Sequence, residues 1–226
     1  MSIKKIIKYI ILLIIIPIII IMGITVFDDK MYMYISAVIV ILSCVPFFMT
    51  FERQKDNVDK VVILAVMVTL IVIGRYCFMA MPSFKPVTAM VIITGVYFGG
   101  EIGYLSGALS ALVSNMIFTQ GPWTPFQMFA WGIIGLIAGI FGRWFRRYPV
   151  LTVIYGGLSG ILFSMIMDIQ SSMWHESTFN FKRYITYVVA ATPVTITYII
   201  SNVIFLIIIF KPMGKVLNRI KQKANI

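Results

Sequence analysis

Charged residues are scarce in this 226-residue chain: they make up 12% of it, and only 8 residues are acidic. The chain is instead 60% hydrophobic, far above the share found in soluble domains. A helix needs about 20 predominantly apolar residues to cross the hydrocarbon core of a bilayer. The composition therefore excludes a soluble domain and predicts an all-α, polytopic membrane protein.

Cysteine and histidine are almost absent, with two cysteines and one histidine. Two cysteines cannot build a disulfide framework, and one imidazole makes a poor metal site. The chain also lacks the H-E-x-x-H, G-x-S-x-G and P-loop patterns of metalloproteases, serine hydrolases and nucleotide-binding enzymes. We therefore expect no enzymatic activity, no metal and no cofactor, so that energy for any transport must come from a gradient or from another subunit.

Uncharged runs predict eight membrane crossings. The fourth is the shortest, since it lies between the turn at Pro86 and the pair Gly99-Gly100. The first is too long for the apolar core of a signal peptide, and we expect it to be retained. The predicted spans are Ile6–Phe27, Met31–Phe51, Val61–Met81, Val87–Gly100, Ile102–Thr119, Phe126–Gly142, Val150–Met167 and Tyr184–Phe210.

Lysine and arginine concentrate on one side of these spans. Fourteen lie on the side of the N-terminus, and the other side has only Lys30, Arg75, Lys85, Lys182 and Arg183. Because basic loops are retained in the cytoplasm, we expect both termini to be cytoplasmic in a bacterial cell membrane. The net charge of +11 is then explained by the membrane surface rather than by nucleic acid.

Glycine is nearly missing from the start of the chain, where Gly23 is the only one before residue 60. This shift predicts an N-terminal pair of spans at 1–59, a six-helix core at 60–212 and a basic tail at 213–226. Small residues let helices approach closely in lipid. Glycines four residues apart recur in the core, and this spacing favours ordinary helix packing. They are Gly95, Gly99, Gly103 and Gly107, then the pair Gly135 and Gly139 and the pair Gly156 and Gly160.

Three outer segments mix aromatic, amide and charged residues: Arg75–Pro86, Asn115–Met128 and Asp168–Arg183. In the second of them, Pro122 and Pro125 stiffen the chain around Trp123, and Gly121 permits a tight turn. A fixed aromatic ring beside amides suits a planar small molecule or one of mixed polarity. The outer side is therefore the predicted ligand-binding side.

Several single residues leave two interpretations open. Arg75 lies about two turns inside the end of its span. It is either part of a functional site or a residue that extends its charge to the lipid headgroups. Asp168 is expected to end the seventh span, facing a cation or water, and His175 is more simply a surface residue. Asn115 must find a partner on another helix or on a ligand. Ala65 and Thr69 form a small pair that either docks another protein or packs within the chain.

The stretch from Gly74 to Arg143, with its runs FKPVTA and GPWTPFQM, resembles the substrate-binding S components of energy-coupling factor (ECF) vitamin transporters. The resemblance covers about residues 60–212. It implies a six-helix core, with two additional N-terminal helices, that captures a vitamin from outside. The core then topples onto a transmembrane coupling protein served by two ABC-type ATPases. Both runs look most like the branch assigned to cobalamin. The docking pattern A-x-x-x-A of the family falls on Ala65 and Thr69, where threonine replaces the second alanine.

The outer segments and this resemblance together supply the candidate residues. Docking is assigned to Ala65 and Thr69. Three alternatives stay open: an S component for another vitamin such as riboflavin, a gradient-driven secondary transporter, and a structural subunit without a ligand. The expected substrate-binding residues are Arg75, Phe84, Lys85, Asn115, Gln120, Trp123, Gln127, Trp131, Asp168, Trp174 and His175.

Overall fold

The computed structural model describes residues 7, 9–27, 38, 41–42, 57–173 and 180–223, and all regular structure in these ranges is helical. The predicted all-α class is therefore confirmed. The predicted span Met31–Phe51 lies almost entirely outside the described residues. After a π-helical turn at Ile11–Ile15, the helices are α1 (Ile16–Phe27), α2 (Asn57–Cys77), α3 (Val87–Phe98), α4 (Gly100–Phe118), α5 (Trp123–Ile140), α6 (Gly142–Arg147), α7 (Pro149–Met173), α8 (Phe181–Ala190) and α9 (Thr192–Lys223).

Four of the described helices, α2, α5, α7 and α9, are long and apolar enough to cross a membrane. This agrees with a polytopic membrane protein. Helix α3 has only 12 residues, a rise of about 18 Å at 1.5 Å per residue, which is too short to cross the core alone. The sequence identified it as the shortest span for the same reason.

The last predicted span, Tyr184–Phe210, is wrong as a single helix. The chain forms two helices that separate at Ala191, directly before Thr192-Pro193. Proline has no backbone N–H to donate, and it disfavours helical geometry in the residue before it. A continuous helix would need a backbone hydrogen bond from residue 193, which proline cannot donate. The helix therefore breaks just before Pro193, although the residues on both sides are apolar.

The predicted end of the seventh span at Asp168 is also wrong. Helix α7 continues to Met173, so Asp168 lies inside it and is buried. Polar side chains in the extra turn bond to their own helix: Ser171 Oγ donates to the Met167 carbonyl at 3.2 Å, and Ser172 Oγ donates to that of Ile169 at 2.8 Å. Because these groups are satisfied locally, the helix extends past the apolar run that the sequence shows.

Helices α4 and α5 pack with their backbones in contact, as the spacing of the glycines predicts. A Cβ atom added to Gly103 would overlap the Gly135 carbonyl, and one added to Gly135 would overlap the Gly103 carbonyl. Gly95 of α3 faces the same Gly135 carbonyl. Any larger residue would push these helices apart, so the row positions α3, α4 and α5 around one axis.

Gly99 divides this row between two helices. Its φ of +94° lies in the region that favours glycine. Helix α3 ends there and α4 begins at the next residue, so the chain reverses direction within one residue. We call this end of the bundle, where Arg146 lies, the Arg146 end. The opposite end, where α2 ends beyond Arg75 and α3 begins, is the Arg75 end.

Helix α1 also contributes to the core. Ile16 is fully buried and Ile20 is 4% exposed, and both belong to the cluster that contains the buried residues of α2 to α5. The first predicted span is thus helical and in contact with the rest of the described chain. The predicted division at residues 59 and 60 stays a prediction.

Candidate functional site

Arg75 occupies the last turn of α2 and turns towards α4. Its Nη1 donates hydrogen bonds to Ser114 Oγ and to Asn115 Oδ1, the latter at 2.8 Å. Ser114 and Asn115 are buried neighbours near the end of α4. The guanidinium is therefore fixed between two helices rather than extended to the surface.

Aromatic rings complete the surroundings of this guanidinium. It lies 4.8 Å from the centre of the Phe118 ring and 5.3 Å from that of Trp131. Both distances are within the range of cation–π attraction. Within the described chain, no carboxylate forms a salt bridge with Arg75, and the groups that contact its guanidinium are all neutral.

A chain of amides and hydroxyls holds Asn115 in place. Its Nδ2 donates to Thr124 Oγ1 at 2.9 Å and to Gln127 Oε1 at 2.8 Å. Thr124 Oγ1 in turn donates to Gln120 Oε1 at 2.9 Å, and Gln120 Nε2 donates to the Leu112 carbonyl at 2.9 Å. Because these side chains bond to one another in sequence, the network joins the end of α4 to the start of α5.

Trp131 forms the aromatic wall. Its indole N–H donates to Thr88 Oγ1 at 3.2 Å, and its ring stacks on Phe163 with 5.0 Å between centres and 18° between planes. Tyr198 meets Phe163 edge-on at 5.2 Å. One row of rings thus joins α5, α7 and α9.

Lys85, in the segment between α2 and α3, brings a second cation. Its backbone N–H donates to Ser201 Oγ at 3.0 Å, and the same hydroxyl donates to the Lys85 carbonyl at 3.0 Å. Burial lowers the pKa of the Lys85 ammonium, and the positive charge of Arg75 lowers that pKa further. The two cations destabilise each other, so an anion between them would stabilise both.

These side chains enclose a cavity of about 120 Å³ at the Arg75 end. Five helices and the segment between α2 and α3 contribute to its walls. No acidic side chain is among its lining residues, which are Arg75, Ser83, Lys85, Val87, Thr88, Gln127, Trp131, Phe163, Tyr198 and Asn202.

The structure brings some of the predicted substrate-binding residues together. Arg75, Lys85, Gln127 and Trp131 line the cavity, and Asn115 and Gln120 belong to the polar network beside it. Phe84 packs on Phe205 with 5.2 Å between ring centres. Trp174 and His175 lie outside the described residues.

Two predicted residues stand apart from the cavity. Trp123 begins α5 with its ring against Gly121 and does not line the cavity. Asp168 is buried on α7 and does not line it either. Pro122 directly precedes the helix that begins with Trp123, but it is Trp131 that faces Arg75.

The sequence interpretation missed the contribution of α7 and α9. Phe163, Tyr198 and Asn202 line the cavity, yet all three lie within long apolar runs. Asn202 is the one that carries a signal, because an amide inside an apolar helix must find a partner. Its Nδ2 donates to the Gly156 carbonyl at 3.0 Å.

Ala65 and Thr69 lie on the exposed face of α2, away from its buried residues such as Met67 and Ile71. Thr69 Oγ1 donates to the Ala65 carbonyl at 2.8 Å. The hydroxyl is therefore satisfied within the helix, and the pair forms a shallow patch between larger side chains such as Val62 and Val66.

A family model described as "ECF-type riboflavin transporter, S component" matches residues 55–219. The chain belongs to this family. The match includes α2 to α8 and most of α9, so it contains every helix that lines the cavity. Searches of curated proteins and of solved structures found no match.

Membership in this family shows which broad class of membrane protein the chain belongs to. An S component is the substrate-binding subunit of a transporter and not an enzyme, and S components generally work with a membrane coupling protein and ATPases. The family resemblance noted in the sequence is therefore confirmed. The cobalamin branch that the sequence favoured is not confirmed by this match.

Proposed function

We propose that this S component captures a vitamin in the cavity at the Arg75 end and passes it to an ECF module. The distribution of lysine and arginine supports an outward-facing Arg75 end and cytoplasmic termini. After capture, the chain topples onto the coupling protein, which it contacts through Ala65 and Thr69. Two ABC-type ATPases of the module supply the energy.

The observation that carries this proposal is the arrangement around Arg75. Taking a charge out of water is costly unless it is paired, and among the described residues this guanidinium contacts hydroxyl, amide and aromatic groups but no carboxylate. A structural arginine in a membrane helix is typically paired with an acidic group. A cation left without one beside a cavity favours a ligand that brings a negative or strongly polar group.

Cobalamin remains the proposed vitamin. It carries one anionic phosphodiester, which suits Arg75 and Lys85, and several carboxamides, which suit amides such as Gln127. Riboflavin is the second candidate, because the matching family is described by that vitamin. Its uncharged planar ring would use the stacked pair Trp131 and Phe163 and would leave both cations without an anion.

The cavity is smaller than a whole vitamin needs. Pockets for drug-sized ligands measure about 300–1,000 Å³, whereas this one measures about 120 Å³. In its present shape it accommodates a single substituent of a vitamin. We therefore expect the segment 78–86, which closes the cavity with Ser83 and Lys85, to move when a whole vitamin binds.

Absorption spectroscopy tests the proposal directly, because corrins and flavins are coloured. The purified full-length chain should retain a chromophore or bind one of the two vitamins with 1:1 stoichiometry in a titration. The spectrum distinguishes cobalamin from riboflavin. Binding of neither vitamin, together with uptake that needs an ion gradient but no ATP, would instead favour a secondary transporter.

Replacing Trp131 with alanine should weaken vitamin binding by about 1–3 kcal/mol, roughly 5- to 150-fold, because an aromatic wall of the cavity is lost. Trp131→Phe should lose less, since a ring remains. The control is Trp123→Ala, which removes a tryptophan from the same helix outside the cavity. Titrations and melting temperatures of all three variants provide the comparison, and an equal loss of affinity at both positions would contradict the assignment.

A further inference from the structure

A second and larger cavity, of about 350 Å³, lies at the Arg146 end, at the opposite end of the bundle from the proposed vitamin site. It is formed by the end of α3, the end of α5, the short helix α6 and the end of α9. Three of its residues are cations and three are glycines. The lining residues are Val96, Tyr97, Phe98, Gly99, Gly139, Ile140, Gly142, Arg143, Arg146 and Lys221.

Two of the cations are held by the last turn of α3. Arg146 Nη1 donates to the Val96 carbonyl, and Lys221 Nζ donates to the Tyr97 carbonyl at 3.2 Å. These carbonyls have no partner within the helix, because α3 ends at Phe98. A guanidinium has five N–H donors and an ammonium has three. Each side chain is thus fixed in position with donors left over.

Arg143 differs from the other two cations. Like Arg146 it is exposed, but its side chain forms no hydrogen bond with another described residue. Within the described chain, Arg146 and Lys221 bond to the end of a helix, whereas the Arg143 side chain does not. It adds a third positive charge beside two that are already held there.

The charges of this cavity do not balance. None of the residues that line the cavity is acidic. Glu101, on the first turn of α4 and two residues after Gly99, does not line it. The end of a helix contributes about half a negative charge. The described lining residues and the helix end therefore give the cavity a net positive charge.

The cavity lies at the depth of a membrane surface. Trp144 is 66% exposed and Tyr148 is 49% exposed, and both belong to the segment that carries Arg143 and Arg146. Exposed tryptophan and tyrosine are typical of the interface where lipid headgroups lie. Basic pockets between membrane helices on the cytoplasmic side bind anionic headgroups.

We propose that this cavity binds the phosphate group of an anionic lipid headgroup. A phosphate diester accepts several hydrogen bonds at once, which matches the guanidinium of Arg146, the ammonium of Lys221 and the guanidinium of Arg143. Space is open at Gly99, where a Cβ would meet no atom within 4 Å, so the headgroup can approach the backbone there. The proposal is independent of which vitamin binds at the Arg75 end.

Lipid binding to the full-length chain in detergent tests this site. Phosphatidylglycerol should bind at least tenfold more tightly than phosphatidylcholine when bound lipids are counted by native mass spectrometry. Arg143→Gln should remove most of that preference, and it deletes a charge without deleting a helix cap. The matched control is Arg147→Gln, on the same helix but outside the cavity, which should keep the preference.

Three results would overturn the proposal. One is equal binding of the two lipids to the unmodified chain. Another is an equal loss of preference in Arg147→Gln and Arg143→Gln, which would indicate only general surface charge. The third is binding of inorganic phosphate as tight as that of phosphatidylglycerol, which would assign the cavity to free phosphate. Melting temperatures confirm that each variant is folded.

Discussion

Tryptophan in place of Ala65 or Thr69 should abolish ATP-dependent vitamin uptake while binding to the isolated chain stays intact. The two residues lie one turn apart on the exposed face of α2, and a helix can approach closely only over small side chains. An indole there would hold the coupling protein away. The cavity lies at the end of the same helix and on its buried side, so the substitution does not touch it.

The experiment measures two quantities in each variant: equilibrium binding to the purified chain, and uptake after reconstitution with the ECF module. A matched control is Leu158→Trp, which adds an indole to an exposed apolar position of α7. This control should transport normally. Full uptake by both the Ala65→Trp and the Thr69→Trp variants would contradict docking through this face.

Replacing Arg75 with alanine should lower vitamin affinity by about 100-fold. Removing one partner of a desolvated, hydrogen-bonded charge pair costs about 2–5 kcal/mol, and Arg75 is the cation in the centre of the polar and aromatic contacts. The chain itself should fold as before, since the variant removes a charge that is costly to bury. Titration with the identified vitamin provides the affinity, and thermal melting provides the stability.

Two further variants separate charge from general damage. Arg75→Lys keeps the positive charge but loses the planar fork, so it should bind with intermediate affinity. Lys182→Ala removes an exposed cation at the same end of the bundle, outside the cavity, and should bind like the unmodified chain. Unchanged affinity in Arg75→Ala would show that the ligand does not contact this guanidinium.

Apolar runs and small residues were enough to predict most of the helices. The runs beginning near Val61, Val87 and Val150 became α2, α3 and α7 with starts within a few residues of the prediction. The period of the glycines indicated close helix packing, and the structure shows it between α4 and α5. Both features depend on local composition: a helix satisfies its own backbone, and a missing side chain lets any neighbour approach.

The pattern of residues alone was enough to assign the class of the molecule and most of its described helices. It also identified Arg75, because an ionisable residue inside an apolar span is visible without a structure. Its family followed from the stretch between Gly74 and Arg143, and the match over residues 55–219 confirmed it.

Only the tertiary structure decided which residues meet. Arg75 and Asn115 are 40 residues apart and share a hydrogen bond, and Trp131 rather than Trp123 faces the guanidinium. Phe163 and Tyr198 joined the site from runs in which they resemble ordinary core residues. The spacing along one helix determines which face a side chain occupies. Which other helix meets that face depends on how closely the glycine-lined backbones approach. That approach is set by several helices packed together, so one helix's sequence does not show it.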